Sequence, residues 1–317
     1  MDIIRIIIIS FIITIILGPI TIPLLKRLNI GQNVRDDGPK THLSKSGTPT
    51  MGGIIMIIAL LITTLTSGLL NRDMYVLLFS TLGFGLIGFI DDYLKVVNKR
   101  SLGLKPYQKL IGQIILATLL AIYQSNTSVL GTKVIMPFIS DRYLDLGYLY
   151  IPFIAFVVVG TVNSVNLTDG LDGLASGVTL IVLSFFGLVA LNWGMGSISI
   201  FSASLTGACL GFLIHNAYPA KVFMGDTGSM ALGGAVSAIA ILLNLPLIIP
   251  IVGGIYFAEA LSVIIQVTSY KLTRKRVFLM SPLHHHFEQK GWPETKVVIV
   301  FWSITVILCL IGVVSLS

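Results

Sequence analysis

An all-α integral membrane protein is the fold class this sequence predicts, and three observations carry it. Of 317 residues, 55% are hydrophobic and only 11% charged, where soluble domains average about 25% charged. The apolar residues gather into runs of about 20, the length a helix needs to cross a bilayer. The basic residues fall almost entirely between alternate runs, as the positive-inside rule requires. Because lipid offers no partner for backbone polar groups, helices are the economical way to build such spans. We therefore expect a single polytopic membrane domain over residues 1–317.

Ten transmembrane helices are expected, at 3–25, 52–70, 74–94, 107–123, 151–167, 174–193, 197–215, 229–245, 247–270 and 297–315. The first could pass for a secretory leader, since Arg5 precedes an isoleucine run. No small-residue cleavage site follows, however, and Lys26 and Arg27 close its far end, so it reads as a retained helix with its N-terminus outside. Lys26, Arg27, Arg35, Lys40, Lys45, Lys95, Lys99, Arg100, Lys105, Lys109, Lys221, Lys271, Arg274, Lys275, Arg276, Lys290 and Lys296 then face inward. Arg5, Arg72, Lys133 and Arg142 face outward, and an even number of spans puts both termini outside.

Outward connections are mostly short. The exception is 124–150, where Thr132–Pro137 and Tyr143–Tyr148 alternate as in a small external β-hairpin. Inward loops at 26–51, 98–106, 218–229 and 271–295 are longer and richer in Gly, Pro and charge, which places function in a cytoplasmic active-site cleft. The net charge of +7 belongs to these loops and calls for no nucleic-acid partner. Cys209 and Cys309 lie in apolar runs and read as small packing residues, which excludes a disulfide framework and a Cys-based zinc site. No repeat of 20–50 residues stands out, which argues against a transporter built from duplicated halves.

Polar residues inside or beside spans carry the chemistry. Asn163, Asn166, Asp169 and Asp172 recur every third residue, which on a helix makes one slowly winding polar stripe. Asp169 and Asp172 are each followed by glycine, which frees the backbone to turn and approach a ligand. Asp91 and Asp92 end the third span, where adjacent carboxylates oppose the helix dipole and repel each other unless they share a cation. Asp226 can simply cap the helix that follows, but with Gly225, Gly228 and Lys221 it equally suits phosphate or a phosphate-bound metal. Phe223 is placed to stack on a base. By contrast Gly83, Gly85 and Gly88 form a literal G-x-G-x-x-G that has no preceding strand, so helix packing explains it, as it does the Gly207 and Gly211 pair.

His284, His285 and His286 are consecutive, without the i, i+4 spacing or Cys partner of a zinc site, and suit hydrogen bonds to phosphate or sugar oxygens. Glu259 is an isolated acid in an apolar span. It is either functional or satisfies a helix break near Gly253-Gly254. Together the aspartates, histidines and lysines fall on one membrane face, and such oxygen-rich sites suit Mg2+ with substrate phosphates. Phosphoryl transfer at the cytoplasmic interface is the resulting expectation.

Pro49-Thr-Met-Gly-Gly53, Asp91-Asp92, Asn163–Gly173, Phe223-Met-Gly-Asp226-Thr-Gly and Ser281-Pro-Leu-His-His-His-Phe-Glu together resemble the bacterial phospho-N-acetylmuramoyl-pentapeptide transferases over essentially the whole chain. Several of these blocks are shared with the wider polyprenyl-phosphate N-acetylhexosamine-1-phosphate transferases; the triple-histidine block with Gly291-Trp292 is the more discriminating. The resemblance implies magnesium-dependent transfer of phospho-MurNAc-pentapeptide from UDP-MurNAc-pentapeptide to undecaprenyl phosphate in the bacterial inner membrane, giving lipid I and UMP for peptidoglycan synthesis. It implies Asp226 as metal ligand and Asp91 and Asp92 at the lipid-phosphate end. Asn166, Asp169, Asp172 and Phe223 would meet the nucleotide, and Lys45, Lys109, Asn216, His284, His285 and His286 would complete the cleft. It also suggests a homodimer. The rival expectations are the same chemistry on UDP-GlcNAc and, through Glu259, an ion-coupled transporter.

Overall fold

The computed structural model describes residues 2–28, 45, 47–98, 103–139 and 142–316. Its framework is helical, and the packing of the first helix shows how lipid inverts the usual pattern. On α1 (Ile3–Arg27) the large residues Ile4, Ile8, Ile12, Ile16, Ile20 and Leu24 point outward, while Ser10, Thr14 and Gly18 are buried. They pack on α7 (Gly196–Asn216), where a Cβ at Gly207 or Gly211 would strike the backbone carbonyls of Ile7 and Phe11. The Ser10 hydroxyl donates to the Ser204 carbonyl at 2.6 Å. Tails and leucines are equally apolar, so close backbone approach and hydrogen bonds replace the hydrophobic drive.

At the centre stands α8 (Gly225–Leu242), almost wholly buried and flanked by α3 (Arg72–Val97) and α5 (Tyr150–Thr168). Gly85 abuts Ala231 and Gly88 abuts the Asp226 carbonyl, so the glycine triplet of α3 is a helix-packing device as expected. Around this core lie α4 (Pro106–Thr127), α6 (Leu174–Asn192) and α12 (Glu294–Val314).

Two expected spans differ from the sequence reading. The second is only α2 (Gly53–Thr66), 14 residues or about 21 Å, because Gly68 turns the chain with φ +78° just after it. The ninth is not continuous. A 3-10 turn, Pro246–Ile248, leads into α9 (Ile249–Val252), which meets α10 (Gly254–Thr273) at an 84° bend. Gly253 sits at the corner, where a Cβ would lie 2.8 Å from the Ile249 carbonyl. Among the described residues, eight helices are long and apolar enough to cross a membrane, or nine if the bent pair is one span.

The expected hairpin is present as β1 (Lys133–Ile135) and β2 (Tyr143–Asp145), antiparallel with Val134 opposite Leu144. Ile135 N–H donates to the Asn244 carbonyl and Phe138 N–H to that of Ser315. The hairpin therefore sits at the C-terminal ends of α8 and α12. The basic residues Arg35, Lys40, Lys99 and Arg100 lie outside the described residues.

Candidate active site

Two glycine-rich segments clasp each other and fix the start of α8. Phe223 N–H donates to the Pro49 carbonyl at 2.8 Å, Gly52 N–H to that of Phe223 at 2.8 Å, and Gly53 N–H to that of Met224 at 3.0 Å. Gly53 lies on Gly228 with no room for a Cβ. Met51, within the clasp, has φ +68°, a left-handed conformation that non-glycine residues rarely hold without surrounding support.

Asp92 then reaches across from α3 and caps α8. Its carboxylate accepts from Asp226 N at 3.2 Å, Thr227 N at 2.9 Å and Thr227 Oγ1 at 2.7 Å. A helix N-terminus carries unsatisfied N–H groups and a positive dipole end, which this carboxylate answers. Asp226 consequently does not cap its own helix, and its carboxylate is free for other partners. Its Oδ2 meets Lys109 Nζ at 2.7 Å and Lys95 Nζ at 2.9 Å, and its Oδ1 accepts from Asn166 Nδ2 at 2.8 Å. Lys95 also bridges Asp91 at 2.6 Å, while Asp91 Oδ1 accepts from Leu104 N at 2.9 Å. One oxygen from each of Asp91, Asp92 and Asp226 lies within 4.8 Å of the others. Three carboxylates face two ammonium groups here, which leaves a net negative charge and a set of oxygen donors that could hold a hard divalent cation.

A second cluster lies beside it. Lys45 Nζ contacts Asp172 Oδ1 and Glu294 Oε1, both at 2.7 Å. Glu294 also accepts from Asp172 N at 2.6 Å, and Asp172 Oδ2 from Ala220 N at 2.9 Å. Burial opposes the Lys45 charge, but the hydrogen bonds and charges of Asp172 and Glu294 outweigh it and raise its pKa. Asn216 is buried with its polar atoms engaged, accepting from Gly173 N and Ser176 Oγ and donating to the Val222 carbonyl. It thus ties the Asp169–Gly173 loop to the segment before α8. Burial, then the charges of Asp226, Asp92 and Asp172, push the Asp169 carboxyl up to about 8, against a hydrogen bond from Gly225 N–H.

The polar stripe expected from Asn163 to Asp172 does not run as one face. α5 ends at Thr168, and the Gly170 and Gly173 positions let the chain turn away. Asn163 exchanges hydrogen bonds with Gln113 of α4, Asn166 bonds Asp226 and Ser229, and Asp172 joins Lys45. Phe223 is half-buried at the clasp.

The three histidines of α11 (Leu283–Gln289) also diverge. His284 is buried with Nδ1 3.0 Å from Glu259 Oε1, and His285 Nδ1 lies 2.7 Å from Glu288. His286 Nδ1 accepts from Leu279 N at 3.1 Å, its ring edge-on to Phe278 and Phe287. Residues that the sequence did not assign to the site are Lys95 and Glu294, while Glu259, read as either functional or satisfying a break near Gly253-Gly254, meets His284. Lys95 had a signal, since it follows Asp91 by four residues and Asp92 by three on one helix. Glu294 had none, because its partners are far away in sequence.

The family described as glycosyl transferase family 4 matches residues 74–244, and a phospho-N-acetylmuramoyl-pentapeptide-transferase signature matches residues 45–57. Those two stretches contain both halves of the clasp and all three clustered aspartates. A phospho-N-acetylmuramoyl-pentapeptide-transferase of Alkaliphilus metalliredigens is 65% identical, covering 100% of this chain and 98% of the relative. The protein of the same name from Clostridioides difficile is 59% identical over 97% of this chain and 95% of its own length. Identity of this degree over both full lengths, together with the signature, shows that the chain belongs to the phospho-N-acetylmuramoyl-pentapeptide-transferase family.

Proposed function

We propose that this protein transfers phospho-MurNAc-pentapeptide from UDP-MurNAc-pentapeptide to undecaprenyl phosphate, forming lipid I and releasing UMP. The convergence of Asp91, Asp92 and Asp226 with Lys95 and Lys109 supports this most directly. Asp226 and Asp91 would hold Mg2+, with Asp92 locking the helix that carries Asp226. Bound there, the ion would neutralise charge on the pyrophosphate as the phospho-sugar is transferred and UMP leaves.

In this reading an oxygen of the lipid phosphate bonds to the β-phosphorus, the bond from that phosphorus to the bridging oxygen breaks, and UMP leaves with the electron pair. The lipid phosphate needs no base, since its second pKa of about 6 leaves it mostly dianionic at neutral pH. Two aspartates are engaged as acceptors, Asp92 by α8 and Asp91 by Leu104 and Lys95, which favours a positioning role over a covalent one. Lys109 and Lys95 steady the phosphates. Lys45, Asn166, Asp169, Asp172, Asn216 and Phe223 form the nucleotide side, His285 and His286 border the sugar-phosphate, and the buried His284 backs the loop at Gly170.

The site would face the cytoplasm of the bacterial inner membrane, with α2 and the bent α9–α10 pair completing ten spans, both termini outside, and a homodimer as the assembled form. Purified protein offered UDP-MurNAc-pentapeptide or UDP-GlcNAc with undecaprenyl phosphate tests the reading. UMP release from the first is expected, whereas preference for UDP-GlcNAc would replace it with the related hexosamine transferase.

A further inference from the structure

Glu259 is fully buried on α10, far from the aspartate cluster in sequence, and nothing in the reaction as described uses it. Among the described residues its carboxylate meets only His284. The His284 backbone N–H points at both of its oxygens, at 3.2 and 3.4 Å, and the ring Nδ1 lies 3.0 Å from Oε1. The backbone N–H donates to this carboxylate, and Nδ1 is placed to donate its own hydrogen to the same group. On the opposite edge of the ring, His284 Nε2 is buried and has no hydrogen-bond partner among the described residues. What lies against it is Gly170, where an added Cβ would run into Nε2 and lie 2.6 Å from Cε1. Gly170 joins Asp169 to the turn that carries Asp172, which bonds Lys45.

We propose that Glu259 is a positioning residue of the transfer reaction, acting through His284 to set the height of the Asp169–Asp172 loop. The carboxylate holds the imidazole by two points, ring and backbone, so the ring cannot rotate. With the ring hydrogen on Nδ1 given to Glu259, Nε2 carries none, and the loop backbone rests on the ring edge at Gly170. The other tautomer would put an Nε2–H against the Gly170 backbone, where the described residues offer it no acceptor, at the cost of burying an unsatisfied donor. This also accounts for a buried acid in a membrane helix without an ion path. The inference rests on the transferase reading, in which the loop meets the nucleotide.

The test uses full-length protein with UDP-MurNAc-pentapeptide and undecaprenyl phosphate, comparing wild type, Glu259→Gln, His284→Gln, the double variant and Gly170→Ala. Glu259→Gln should raise KM for the UDP substrate about tenfold, the size of one lost charge-assisted hydrogen bond, with KM for the lipid phosphate changed less than about twofold. Adding it to His284→Gln should do little more, as for two residues acting through one contact. Gly170→Ala should shift the same KM. Equal change in both KM values, or effects of Glu259 and His284 that multiply, would overturn the proposal. If the variants do not fold, nitrogen NMR of histidine-labelled wild type decides: a protonated Nδ1 and bare Nε2 at His284 are expected, and a protonated Nε2 overturns it. A wild type that releases no UMP would refute the transferase reading itself, whatever the NMR shows of His284.

Discussion

Asp92 and Asp226 lie within one cluster, yet they do different work. Asp92 gives its oxygens to the first turn of α8, while Asp226 faces Lys95, Lys109 and Asn166. Asp226→Asn should lower transfer about 10²-fold or more, as removal of a group that stabilises developing charge does, with little change in thermal unfolding in detergent. Asp92→Ala should instead lower stability by about 1–2 kcal/mol, the usual cost of a lost N-cap, and lose activity alongside.

Asp169 gives a pH signature. Its folded pKa of about 8 lies above the unfolded value of 3.8, so the folded state holds the proton more tightly and stability falls as pH rises between these values. In unfolding measurements without divalent cations, Asp169→Asn should flatten that decline; an unchanged slope would contradict the assignment. The aspartates, lysines and histidines were legible in the sequence because charge is rare in a membrane chain. Their pairings were not, since Lys45 with Glu294 or His284 with Glu259 depends on packing between distant helices.

Between elements, the helix contacts hold the site through glycine. A Cβ at Gly88 would strike the backbone of Asp226 and Thr227, which cannot move without dragging the start of α8. A Cβ at Gly83 would meet only the end of the Leu116 side chain, at 3.0 Å. Gly88→Ala should therefore reduce UMP release at least about tenfold, the order of effect expected when catalytic groups are misplaced, whereas Gly83→Ala should leave it nearly unchanged. Apolar run length located most helices, because a span needs a fixed number of residues. It overestimated α2 and ran the ninth span straight through the break that Gly253-Gly254 suggested, where the chain bends by 84°, since hydropathy records solvent preference and not direction. The hairpin was visible from alternation alone.

At the scale of the whole molecule, the site lies at the N-terminal ends of α8 and α12 and the hairpin at their C-terminal ends. The two are therefore on opposite sides of the bundle. With α8 18 residues long, about 27 Å separates them, close to the thickness of a bilayer's hydrocarbon core. On the proposed orientation, in which the basic residues face inward, the site lies on the inside. In right-side-out vesicles an impermeant maleimide should label Tyr148→Cys, beside the hairpin and fully exposed, and spare Leu272→Cys at the far end of α10. The native Cys209 and Cys309 are buried and should stay silent. Labelling of Leu272→Cys alone would invert the topology.

The central claim, that the clustered aspartates form a magnesium-assisted phospho-sugar transfer centre, is tested most directly by UMP release from UDP-MurNAc-pentapeptide and undecaprenyl phosphate as Mg2+ is titrated. We expect release by the wild type to rise from near zero to saturation, and Asp226→Asn to stay flat at every magnesium concentration. Full turnover in the presence of a chelator, or an Asp226→Asn protein as active as the wild type, would contradict the account.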